Sequence, residues 1–72
     1  MDKTIRSKEY IKIIEKLRKA RKSADLKQVD VAEKLKRPQS YISRVESGEY
    51  LIDVLELKTF AKIYKKSINY FI

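Results

Sequence analysis

Four polar side chains, Gln39, Ser40, Ser43 and Arg44, carry the most specific chemistry in this chain, because helical spacing puts them on one face. Ile42 and Val45 fall on the opposite side. A buried helix gains nothing from a face of Gln, Ser and Arg, whereas long donors and acceptors near a helix N-terminus are what reading base edges requires. Gln bonds bidentately to adenine N6/N7 and Arg to guanine O6/N7, each good pair discriminating by about 1–3 kcal/mol. The pattern predicts a half-site with adenine opposite Gln39 and guanine opposite Arg44. Ser40 and Ser43 also have an ordinary reading as exposed helix residues. Tyr41 has two readings: contact with a thymine methyl or phosphate, or cover for the edge of the core.

Other chemistries are poorly supplied. With no cysteine and no histidine, thiolate and imidazole metal sites are excluded, and so are disulfides. No glycine-rich phosphate loop and no carboxylate pair suited to a cleft is present, so neither an enzyme nor a cofactor is expected. The charge is strongly basic, at +8, and unevenly placed. Residues 1–44 hold 14 basic and 6 acidic side chains, while residues 45–72 hold 4 of each. The excess therefore lies on the first part of the chain, as a surface meeting phosphate requires, although a solvated lysine-rich face would look the same.

The elements that position these residues read as helices throughout. One domain spans residues 1–72, small enough that only about 60% of the unfolded surface is buried on folding. A first helix is predicted over Lys8–Ser23 with Ser7 as N-cap; Tyr10, Ile13, Ile14, Leu17, Ala20 and Ala24 form its apolar stripe. A second runs from Gln28 to Leu35, with Val31, Ala32 and Leu35 inward. Lys36-Arg37-Pro38 breaks the pattern. Pro38 fits the first turn of a third helix that runs through Ser47 and stops at Gly48. Asp53 and Glu56 have capping-box spacing and open a fourth helix to about Lys65, burying Leu57, Phe60, Ala61 and Tyr64. Ser67 caps a last turn, Ile68–Ile72. No apolar run approaches the ~18 residues of a membrane span, and Met1-Asp2-Lys3-Thr4 lacks the layout of a signal peptide.

The ordered set Leu26, Gln28, Val31-Ala32, Leu35, Gln39-Ser40, Ile42-Ser43, Val45-Glu46 and Gly48 resembles the lambda-repressor-like, Cro/CI-type (XRE) helix-turn-helix family. The likeness continues without gaps to Ala61 and the Ser67–Ile72 turn, and reaches back to Arg21. It implies an all-α, compact five-helix lambda-repressor-like domain whose second and third helices form a helix-turn-helix over 27–47. It also implies that Gln28, with the backbone N–H groups of its helix end, binds a DNA phosphate. Gln39, Ser40 and Arg44 would meet base edges, and Arg21 would pair with Glu46 to tie the first helix to the third.

Three positions depart from the family pattern. Asp25 replaces a glycine that ends the first helix, Lys27 a threonine N-cap, and Lys36 a turn glycine. A lysine at a positive-φ turn costs on the order of 1 kcal/mol, and a lost cap about the same. Lys27 and Lys36 flank the turn and, with Arg37, are candidates for phosphate or groove-edge contact; sequence drift explains the replacements equally well. Where relatives carry arginines, this chain has Tyr50-Leu51-Ile52, which with Tyr70-Phe71-Ile72 makes a candidate dimer patch or a roof over the core.

Together these features lead to a sequence-specific transcription regulator, a repressor binding double-stranded DNA as a homodimer on a two-fold operator. Its expected location is the cytoplasm, at the nucleoid. The alternative is an antitoxin or other module with a protein partner, a toxin or regulator. A basic first helix lying on a membrane is disfavoured, because its stripe is needed for the core.

Overall fold

Five helices make up most of residues 7–72, the part of the chain that the computed structural model describes; Met1-Asp2-Lys3-Thr4 lie outside it. They are α1 (Lys8–Ser23), α2 (Gln28–Leu35), α3 (Gln39–Ser47), α4 (Val54–Ile63) and α5 (Ile68–Phe71), with no strand among the described residues. None of these helices is long and apolar enough to cross a membrane. Each starts where a side chain or a rigid residue favours it. Ser7 Oγ accepts from the Tyr10 N–H at 3.1 Å, and Ser67 Oγ from that of Asn69 at 3.2 Å. At α4 the capping box closes both ways: Asp53 Oδ1 accepts from Glu56 N–H at 2.8 Å and Glu56 Oε1 from Asp53 N–H at 2.9 Å. Pro38 stands one residue before α3 rather than in its first turn, because its extended ψ of 150° leaves only its carbonyl to begin the helix.

The helix ends share one device. Asp25 (φ 61°), Lys36 (57°), Gly48 (86°) and Lys65 (58°) all adopt the left-handed conformation. After each, the next N–H turns back onto an orphan carbonyl: Leu26 to Arg21, Arg37 to Ala32, Glu49 to Arg44 and Lys66 to Ala61, at 2.9–3.1 Å. Only one of the four is glycine. Gly48 is required twice over, since an added Cβ there would meet Ile14 Cδ1 at 3.2 Å in addition to the φ cost. The turn at Lys65 ends α4 at Ile63, with Tyr64 as C-cap, short of the Lys65 expected.

Side chains from all five helices converge on one core, in which Leu17, Val31, Ile42, Val45, Phe60 and Phe71 are the largest fully enclosed side chains. α2 packs on α3, α1 lies against α3 and α5, and α4 against α5. Ile13, Ala24 and Leu35, expected to face inward, sit half-buried at its margin. The helices are too short to persist alone, so this shared core holds α3 in place with its polar face outward.

Candidate nucleic-acid interface

A polar clamp beneath α3 links the core to its outer face. Glu46 is the one buried charged residue among those described, at 4% exposure, and it lies on α3 beside Val45. The Arg21 guanidinium grips it with two bonds, Nε to Oε2 at 2.7 Å and Nη2 to Oε1 at 3.1 Å. Its third donor reaches the Leu26 carbonyl at 3.0 Å, which ties α1 to the start of α2 as well as to α3. Hydrogen bonding to Glu46 raises the Arg21 pKa against the opposing effect of burial, so the guanidinium is firmly charged. Arg18 adds a bond to the Glu46 carbonyl at 3.1 Å. This bidentate fork is the pairing that Arg provides and Lys cannot.

Gln28 connects the clamp to the surface. Its Nε2 donates to Glu46 Oε1 at 3.0 Å, and its Oε1 accepts from Gln39 Nε2 at 3.5 Å, the outer limit for such a bond. A chain of side chains therefore runs Arg21, Glu46, Gln28, Gln39, from the core to the first turn of α3. Gln28 is half-buried, at the first residue of α2, and Gln39 is exposed. Ser40, Ser43 and Arg44 are exposed too, and none of their side chains bonds to another described residue. Lys27, Lys36 and Arg37 are exposed along the two ends of α2. At Lys27 the cap is half made: its N–H donates to Asp30 Oδ2 at 2.8 Å, but an ammonium has no acceptor to return the bond.

Tyr41 sits at the edge of the core. Its ring stacks on Phe60 with centroids 6.2 Å apart, and its hydroxyl donates to Glu56 Oε2 at 2.8 Å. The Arg37 guanidinium lies over the outer ring face, 3.9 Å from the centroid. Tyr50 donates to the same carboxylate oxygen at 2.9 Å and meets Tyr41 edge-on. Glu56, in sequence only a capping residue, is thus the hub joining α3, α4 and the loop between them. Burial raises its pKa, but the Asp53 N–H and the two phenols outweigh burial and hold it below the usual carboxylate range. Burial and the Glu56 bond push the Tyr41 phenol well up. A Tyr–Tyr–Glu meeting across 15 residues has no local signature; only the Asp53–Glu56 spacing was visible.

The candidate dimer patch is divided by burial. Ile52 is 9% exposed and Phe71 1%, so both belong to the core and neither is available to a second chain. Ile52 enters it because its N–H donates to Tyr10 Oη at 3.1 Å, which pins the loop to α1; Phe71 fills the space between α5 and the other helices. Tyr70 is half-buried, while Tyr50, Leu51 and Ile72 are exposed. Val54, not anticipated, extends the exposed apolar run at 69%.

A helix pair joined by a tight turn, the second member outward-faced with Gln, Ser and Arg, defines a DNA-binding architecture. Comparison with protein families agrees: the helix-turn-helix family model HTH_3 matches residues 17–71. The chain belongs to this family, the Cro/CI-type helix-turn-helix proteins, and is a DNA-binding regulator of the XRE type. Neither the curated proteins nor the solved structures gave a significant match.

Proposed function

We propose that the chain is a transcriptional repressor that recognises a two-fold operator through α3 in the major groove. The observation that carries this reading is the contrast along α3. Gln39, Ser40, Ser43 and Arg44 point their polar groups away from every described partner but one, while the same helix is locked from beneath by the buried Arg21–Glu46 pair. A reading head needs both features, free hydrogen-bonding groups and a rigid mount. Gln28 braces Gln39 and presents its helix N-terminus to a phosphate; Lys27, Lys36 and Arg37 supply further phosphate contacts. Occupying promoter DNA asks nothing of the chain beyond the α3 reading face and its mount, hence a repressor.

Two copies would place their α3 helices about 34 Å apart on one face of the duplex. The exposed Tyr50, Leu51 and Val54 supply the self-complementary surface. Selection of bound sequences from a random duplex pool tests both points: a palindrome with adenine under Gln39 and guanine under Arg44 is expected. In that motif Arg44→Ala relaxes one base position, at a cost of about 1–3 kcal/mol. Uniform weakening across all sequences would make Arg44 a phosphate contact instead. Enrichment of no motif would remove the sequence-specific reading altogether.

A further inference from the structure

The outer side of α4 carries chemistry that the α3 face does not use. The zero net charge of residues 45–72 hides a division: Glu46, Glu49, Asp53 and Glu56 come first, then Lys58, Lys62, Lys65 and Lys66 with no acid after them. On α4, Leu55, Lys58, Thr59 and Lys62 recur at spacings of three and four and so share one face. With Ala61, Lys66 and Ile68 they line an open groove of about 620 Å³ between α4 and the turn into α5. Leu55 is 71% exposed at one end of it. At the other, the Lys66 ammonium lies 4.8 Å over the Tyr70 ring, which orders the cation at the rim. No carboxylate among the described residues pairs with Lys58, Lys62 or Lys66.

We propose that this groove docks an acidic amphipathic segment of a partner protein. Its apolar side chains would rest on the exposed Leu55 and half-buried Ile68, with the buried Ala61 as the groove floor, and its carboxylates on Lys58, Lys62 and Lys66. The mixture of groups selects this occupant. A nucleic-acid backbone would satisfy the lysines but leave Leu55 and Ile68 against a polar strand, gaining nothing from them. A second copy offers no run of free acids beside its exposed apolar loop: Asp53 and Glu56 are tied in the α4 cap, which leaves Glu49 alone there. A protein segment with apolar and acidic faces meets both demands, with helix-in-groove burial for affinity and lysine pairing for orientation and on-rate. None of the groove residues belongs to the α3 reading face, so partner and DNA are held at once, and the inference stands whether or not the operator reading does.

The test uses the whole chain and three probes: a helix-forming Leu/Glu amphipathic peptide, an all-Glu peptide of equal length, and a duplex DNA. Amide NMR shifts locate each, and fluorescence anisotropy gives its affinity. The Leu/Glu peptide is expected to shift Leu55, Lys58, Lys62, Lys66 and Ile68 and to leave Gln39–Arg44 unmoved. Lys58→Glu with Lys62→Glu should weaken it by about tenfold or more. Leu55→Ser should weaken it severalfold with circular dichroism unchanged, which separates lost docking from lost folding. Equal binding of the all-Glu peptide, or insensitivity to both variants, would reduce the groove to diffuse positive charge and overturn the proposal. DNA shifting the same lysines would reassign the face to nucleic acid, and peptide-free self-association through it would reassign it to a second copy. Loss of DNA binding alone would sink the operator reading and leave this one intact.

Discussion

Lys36 and Lys65 hold left-handed backbone that lysine adopts at a cost, and neither side chain bonds to a described residue. Replacing either with glycine removes Cβ strain, partly offset by the entropy that glycine adds to the unfolded chain, so each change is expected to stabilise by up to about 1 kcal/mol. In a domain this small that corresponds to a rise in Tm of roughly 4–8 °C, readable by thermal circular dichroism. A fall in Tm at Lys36→Gly would mean that its stem packs favourably over the turn. Tyr64 offers an opposite kind of residue: its hydroxyl is buried without a hydrogen-bond partner among the described residues, and burial raises its pKa strongly. Tyr64→Phe removes a desolvated, unpaired group and is expected to leave stability unchanged or raise it by about 1 kcal/mol. A clear loss on denaturant unfolding would show that the hydroxyl is satisfied by water. Glu56 brings pH into play. Its folded pKa lies below the unfolded value, so its contribution is present above the unfolded carboxylate pKa and fades as pH falls through the folded one. Glu56→Gln should therefore flatten the acid limb of the stability–pH curve, and an unaltered limb would remove Glu56 as its source.

Between elements, the Arg21–Glu46 pair and the α2 cap decide how firmly α3 is mounted. Arg21→Met would strand a buried carboxylate with Gln28 as its remaining side-chain donor, and such broken pairs cost about 3–5 kcal/mol. Unfolding by urea should register most of that loss, while Arg18→Met, which removes one donor from the Glu46 carbonyl and strands no charge, should cost far less. Lys27 lies at the junction of stability and binding. Lys27→Thr completes the half-made cap and is expected to add about 1 kcal/mol to the free domain. If Lys27 also meets a phosphate, the same substitution lowers the salt slope of DNA binding by about one. A stabler protein with an unchanged slope would mark Lys27 as sequence drift.

For the molecule as a whole, extents of 30 × 25 × 20 Å leave one core and little reserve, which is why single caps and turns matter here. Dimerisation through Tyr50, Leu51 and Val54 would add buried apolar area that the monomer cannot. Leu51→Glu is expected to abolish dimers in sedimentation and reduce cooperative operator binding, with half-site contacts retained; a monomer at all concentrations in the parent chain would dispose of that surface.

The helices, their order and most of the core were written in the sequence, because apolar spacing, N-caps and the Gly48 stop act over three or four residues. So was the outward face of α3, a matter of helical phase alone, and so were the strained turn positions at Asp25 and Lys36. The motif itself carried the family. What tertiary structure alone decided are the meetings between distant residues. Burial withdrew Ile52 and Phe71 from the candidate dimer patch. Tyr41 gained Glu56 and Phe60 as partners, and Gln28 was found bracing Glu46 and Gln39. The reason is physical: local periodicity states which way a side chain points along its own helix. Whether that direction meets solvent, a carboxylate or another ring depends on how five helices cross, and no short-range spacing encodes it.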